Sequence, residues 1–263
     1  GAAGGGFSLK YIKLRMGEKT FGITKIIFFS LLILIPIATT LSIAVTNLLP
    51  DFYIANFDVE KSSNAYGLLL NQLVPSILLI GPATLLSGAF FSYGLFLMKQ
   101  HTDDPASNTS FFYTWNTIGS IVGSITSVFL LIPFFGLDNA LRLTGTLLIF
   151  VSILFVIFMK FEKMILFILV SLVSLVTIWL LIPKIDKIAI TAGAGVYTPI
   201  LQKHPDIKKS GISDVFKNQV DPVYYKDGFT ATITVYRNKQ SGELSISTNG
   251  KPDGSTYSDM ETQ

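Results

Sequence analysis

The sequence predicts a polytopic α-helical membrane domain followed by a small antiparallel β-domain, a three-strand meander. Three observations predict it. Half of the residues are hydrophobic, 14% are charged and the mean hydropathy is +0.55, far from an ordinary soluble domain. The charges are segregated, since residues 184–263 hold ten of the twenty Lys and Arg and nine of the seventeen Asp and Glu. Ahead of that segment lie five uncharged apolar runs, all but the fourth as long as or longer than the roughly 20 residues that a bilayer core requires.

Residues 1–20 read as the end of a helix and a basic loop, glycine-rich and then carrying Lys10, Lys13, Arg15 and Lys19. A five-span transmembrane domain over 21–183 follows, with spans at about 26–49, 67–98, 112–137, 141–159 and 164–183. The fourth is short, and a snorkelling Arg142 extends it. Prolines 36, 75, 82 and 133 fall inside the runs, where neighbouring helices can satisfy the freed carbonyls. The second run is long enough to be tilted or broken near Gly81-Pro82. In the third, Gly119 and Gly123 form a small-x-x-x-small face for close helix packing, with Asn116 one turn earlier on the same side, where it packs or lines a ligand path.

After Pro183 the composition turns soluble. Lys184–Ile190 has the pattern of a short strand, and residues 184–221 as a whole read as a linker. Ala192-Gly193-Ala194-Gly195 is no phosphate loop: it lacks the third glycine, opens no helical pattern and soon meets Pro199. A β-hairpin domain over 222–263 follows. Its strands are Pro222–Lys226, Phe229–Arg237 and Leu244–Asn249, with Phe229, Ala231, Ile233 and Val235 alternating against Thr230, Thr232, Thr234 and Tyr236. Asp227-Gly228 is the first turn, and the polar run from Asn238 to Gly242 is the second.

Several classes are excluded. The net charge of +3 comes from scattered bases, so nucleic acid is not a partner. No cysteine is present, which removes disulfides, thiol catalysis and thiolate metal sites, and His101 and His204 are too far apart in sequence to suggest a metal site. The chain opens on Gly1 and stops on Gln263 just after a turn, and is read as a fragment of a longer protein.

The hairpin runs into Asn249-Gly250-Lys251-Pro252-Asp253, then Ser255, Asp259 and Glu261-Thr262-Gln263. Here the sequence resembles the N-terminal β-domain of the spermidine synthase (polyamine aminopropyltransferase) family, in its membrane-fused branch with transporter-like helices. That family carries an Asp-Gly-x-x-Gln segment at this place; Asn249 stands for the Asp, Gly250 matches and Asp253 stands for the Gln. The third run is similar to the same branch, where an Asn-x-x-Gly helix ends in a Leu-x-Pro-x-x-Gly-Leu corner, here Asn116 to Gly119 and Leu131 to Leu137. Ala194-Gly195-Val196-Tyr197 is similar to a linker piece of the family, and the Gly-rich, basic start resembles a loop of major-facilitator transporters.

The resemblance implies that Asn249, Gly250, Asp253, Asp259 and Gln263 border the pocket for decarboxylated S-adenosylmethionine and a polyamine. A nucleotide-binding Rossmann-like domain is implied to follow and to supply the catalytic acids. No catalytic residue is assigned in this chain, which is expected to be inactive alone and to bind no cofactor. The lipid bilayer is its expected partner, with the polyamine a partner of the intact parent. Two other readings stay open: part of a major-facilitator-like small-molecule transporter, or a membrane-anchored β-module that binds a partner through a sheet edge. The side of the C-terminal domain is also open, because the basic loops count as inside and place that domain outside, whereas a cytosolic donor requires it inside.

Overall fold

The computed structural model describes residues 2–16, 20–56, 65–98 and 104–257. Lys19, Asp58, Glu60, Lys99, His101, Asp259, Glu261 and Gln263 lie outside them. In chain order the elements are α1 (Ala2–Met16), α2 (Thr20–Asn56), α3 (Ala65–Met98), α4 (Pro105–Thr126), a π-helical segment Ser127–Leu131, α5 (Ile132–Phe158) and α6 (Met164–Val176) with a π-turn Thr177–Leu181. The short helices α7 (Lys187–Thr191), α8 (Ala194–Leu201), α9 (Pro205–Ser210) and α10 (Ile212–Gln219) follow, then β1 (Val220–Asp227), β2 (Thr232–Asn238), β3 (Leu244–Thr248) and β4 (Lys251–Ser255).

Among the described residues four stretches are long and apolar enough to cross a membrane: Thr20–Asn56, Gln72–Met98, Ala106–Phe158 and Met164–Leu181. The third has 53 residues. At about 1.5 Å per residue it would reach about 80 Å, more than twice a hydrocarbon core of about 30 Å. It is not straight, because Gly136, with φ 79° and ψ 163°, leaves the helical region inside it. The predicted third and fourth runs are therefore two helical stretches that meet at this glycine. Around Gly81-Pro82 the expectation of a break is not met: α3 is continuous, and the Thr84 hydroxyl donates to the carbonyls of Ile80 and Gly81.

The chain divides into two compact units. One comprises Gly1–Ser42, Ile80–Ser127 and Ala140–Ile182. Its core gathers Leu9, Leu31, Ile35 and Tyr93, with Phe28 stacked on Phe90 at 4.4 Å between ring centroids. The glycine-rich start is a packing surface of a helix: a Cβ on Gly5 would lie 3.0 Å from the Cα of Ala89, and Ser8 shares a 2.8 Å hydrogen bond with the Tyr93 hydroxyl. Ser152 and Ser171 join α5 to α6 through a 3.0 Å hydrogen bond. Arg142 does not snorkel. It is 2% exposed, and its guanidinium donates to the carbonyls of Ile178 and Ile182 at the end of the π-turn, where helical carbonyls lack intrahelical donors and the helix dipole favours a cation.

The other unit comprises Ile43–Leu79, Val128–Asn139 and Pro183–Gln263. The linker is helical rather than extended. Lys184–Ile190 is no strand, because the Asp186 carboxylate accepts from the N–H groups of Ile188 and Ala189 and so starts α7. Asn47 holds that start, donating to the Lys184 carbonyl and accepting from the Asp186 N–H, each at 2.8 Å. Asp51 accepts from Ile212 N–H at 2.8 Å at the head of α10. Ile54, Ala189, Ala192, Ala194, Ile207, Ile212 and Val215 form the core beneath.

The sheet has four antiparallel strands in the order β1-β2-β3-β4, not three. The fourth escapes a pattern reading because Pro252 and Gly254 look like breakers. An edge strand tolerates them, and Pro252 pairs with Ser247 there. β2 begins at Thr232, so Phe229 belongs to the β1–β2 turn rather than to a strand, and that turn is closed by Gly228 N–H donating to the Ala231 carbonyl at 2.9 Å.

Candidate functional site

The covered face of the sheet is its hydroxyl-bearing one. Thr234 is 1% exposed, and Tyr236 and Ser247 are also buried, while Ile246 on the opposite face is 43% exposed. The register explains how these polar side chains can be enclosed: Thr234 opposes both Tyr225 and Ser247, and Tyr236 opposes Ser245. Paired hydroxyls satisfy one another. Thr234 and Ser247 share a 2.6 Å hydrogen bond, and Tyr236 shares one with Thr191 of α7.

Between this face and helices α7, α8 and α10 lies a cavity of about 310 Å³. Thr191, Tyr236, Ser245 and Ser247 supply hydroxyls to its wall, and Ile200 and Phe216 are among its apolar lining. Gly250 and Pro252 form part of the rim. Burial pushes the Tyr236 hydroxyl above its ordinary pKa near 10, so the wall stays neutral through the physiological range.

Asn249-Gly250 is the β3–β4 turn. Both residues have positive φ, 51° and 81°, the conformation of a two-residue type I′ hairpin and the reason for the Asn-Gly pair. The Asn249 side-chain oxygen accepts from Thr232 N–H at 2.9 Å, and its own N–H donates to the Thr232 carbonyl at 2.9 Å, which ties the turn to β2. Gly250 is buried against Gly193: a Cβ on Gly250 would lie 3.0 Å from Gly193 N, and one on Gly193 would lie 2.5 Å from the Gly250 carbonyl oxygen. Gly193 is thus a left-handed residue that opens α8 and lets the sheet approach. Asp253 is exposed on β4. Asn249, Gly250 and Asp253 are brought onto one hairpin, whereas Asp259 and Gln263 lie outside the described residues.

Two carboxylates that the sequence reading did not single out hold the unit together. Asp227 is buried, with Oδ1 accepting from Tyr225 at 2.8 Å and from the Thr232 hydroxyl at 2.9 Å, while Oδ2 accepts from the N–H of Leu137 at 3.0 Å. Burial, then the hydrogen bond to Asp227, push the Tyr225 hydroxyl well above its ordinary value. Burial works to raise Asp186, yet the Ser213 hydroxyl at 2.5 Å, the Ala189 N–H and the Lys217 ammonium at 3.1 Å outweigh it and hold this carboxyl below its ordinary value. Asp227 was visible in the sequence as part of an Asp-Gly turn, whereas Asp186 fell inside a stretch with the pattern of a strand, and neither pattern shows its partner.

The predicted packing residues behave differently. Asn116, Gly119 and Gly123 are exposed on α4, and a Cβ added at either glycine would meet nothing within 4 Å. No described residue packs into that face, so the expected close helix contact is not made within the described chain. Among the described residues no three His, Asp or Glu side chains converge on a common point.

Together these features define a mostly helical chain that has, among the described residues, four stretches long and apolar enough to cross a membrane and a small four-stranded antiparallel sheet. Comparison with protein-family models, with curated proteins and with solved structures finds no match.

Proposed function

We propose that this chain is the membrane-embedded portion and first β-unit of a spermidine synthase-like protein. In its intact form that protein transfers an aminopropyl group from decarboxylated S-adenosylmethionine to a polyamine. The observation that carries the reading is the Asn249-Gly250 turn: the residues that stand at the family's Asp-Gly position form a tight hairpin whose Gly250 lines an open cavity. The chemistry needs an amine that loses its proton beside a sulfonium donor, and carboxylates that hold the polyamine cation. The cavity wall is apolar and hydroxylic, which suits a neutral aromatic or thioether group and not a polycation. In this reading the acids and the nucleotide site come from the Rossmann-like domain that the family carries after its sheet.

The test is aminopropyl transfer to putrescine and to spermidine, followed by mass spectrometry, for the intact parent in nanodiscs and for this chain alone. Transfer by the parent and none by the chain is expected. Gly250→Val in the parent should slow transfer roughly tenfold or more, since a branched side chain cannot occupy that left-handed turn against Gly193. A parent that transfers to neither amine would sink the proposal. A carrier reading is less well supported, because the charged side chain buried among the described helices, Arg142, is engaged with helix-terminal carbonyls rather than with an open path.

A further inference from the structure

We propose that the β1–β2 turn is a second membrane anchor, placing Phe229 among the lipid acyl chains beside the π-helical segment Ser127–Leu131. The inference rests on the reading of Ala106–Phe158 as membrane-crossing. Phe229 is 62% exposed at the tip of the turn, yet its ring lies 5.8 Å from that of Phe129 at an interplanar angle of 30°. Phe129 is itself 57% exposed. It stands seven residues before the break at Gly136, which at the helical rise puts it about 10 Å along the apolar stretch from the corner. A residue of the sheet-bearing segment is therefore held alongside the flank of a spanning helix, at the depth that interfacial apolar anchors reach, roughly 5–10 Å.

The placement is fixed rather than incidental. The turn closes through Gly228 and Ala231, and the preceding Asp227 accepts the Leu137 N–H, so turn and corner are hydrogen-bonded to each other. Lipid is the occupant that fits, because the surface is continuous with the exposed apolar flank of a helical stretch long enough to cross a bilayer. Leu130 next to Phe129 is exposed, and so are Phe134 and Phe135 at the corner. Exposed Phe and Leu side chains gathered in this way are what interfacial segments bury at the headgroup and acyl boundary.

The cysteine-free sequence permits a clean test. Spin labels are attached to Phe229→Cys, to Phe129→Cys and to Gln240→Cys in the distant β2–β3 turn, with the chain in phosphatidylcholine vesicles. Collision rates with oxygen and with an aqueous nickel chelate then report depth. Thr230→Cys replaces F229C should that variant not fold. At 229 we expect high oxygen collision, and nickel collision roughly tenfold lower than at 240, matching 129. Protection at 129 with free nickel access at 229 overturns the anchor and leaves the spanning helix standing. Exclusion of both reagents at 229 means that protein covers the site, which also overturns it. Nickel access at 129 removes the membrane crossing itself, and the anchor with it.

Discussion

The carboxylate of Asp227, the last residue of β1, accepts a hydrogen bond from the backbone N–H of Leu137 at 3.0 Å. Leu137 follows the non-helical Gly136, so this N–H begins a new helical stretch and has no carbonyl of its own helix to meet. One side chain thus closes the sheet's first turn, through Tyr225 and Thr232, and caps a helix. Asp227→Ala should lower stability by about 2–3 kcal/mol, the combined effect of a lost cap and buried donors left unpaired. Thermal unfolding in detergent measures it, and an unchanged midpoint would remove the capping role.

Gly136 occupies a backbone region open essentially to glycine alone, and a Cβ there would lie 3.3 Å from Asp227 Oδ2. Gly136→Ala is expected to cost about 1–3 kcal/mol. Gly119→Ala, in an ordinary helical position with nothing within 4 Å, should be neutral or stabilising by up to about 1 kcal/mol. Equal effects of the two substitutions would contradict the corner geometry.

Arg142 donates to the carbonyls of Ile178 and Ile182 at the end of a single π-turn. Arg142→Met keeps the bulk and leaves those carbonyls without their donor, at about 2–4 kcal/mol. Arg142→Lys, a single point charge without the fork, should recover only part of the loss. Full stability in the methionine variant, read from resistance to unfolding in a denaturing detergent series, would show that the buried charge is dispensable.

Tyr225 and Tyr236 both titrate above their ordinary value of 10.0 when folded. Their neutral forms therefore contribute stability that is complete below pH 10.0 and is lost as pH rises through the folded values. Asp186 works the other way, since its lowered value contributes above pH 3.8 and is lost as pH falls through the folded value. The unfolding midpoint of the natural chain should fall on going above pH 10.0, and the Tyr225→Phe, Tyr236→Phe pair should flatten that fall. A parallel decline in both proteins would assign the alkaline loss to other groups.

Much of the fold was legible in residue order. Apolar runs of this length are expected to be helical, because a segment that crosses a bilayer finds no partner for its backbone polar groups outside itself, and run length alone reports this. The Asn249-Gly250 turn is missed by the sequence reading, which ends the third strand on Asn249, although positive φ at two adjacent residues selects those residue types. β4 was hidden by Pro252 and Gly254, which are tolerated only because the strand lies at an edge, and edges are a property of the assembled sheet. Lys184–Ile190 has the pattern of a strand, and the rest of the linker shows no element, because its helices are too short to show periodicity and are held instead by Asn47, Asp51 and Asp186.

By itself, then, the sequence determined the class of protein: helices suited to a bilayer, a more polar tail and the first two turns that fold the tail into hairpins, because each depends on local composition and spacing. The tertiary structure decided which face of the sheet is covered. Alternation places Ile233 and Val235 opposite Thr234 and Tyr236, and hydrophobicity favours burying the first pair. Paired hydroxyls across β2, β3 and α7 reverse that choice by satisfying one another, a relation between residues distant in the chain that no alternation pattern contains.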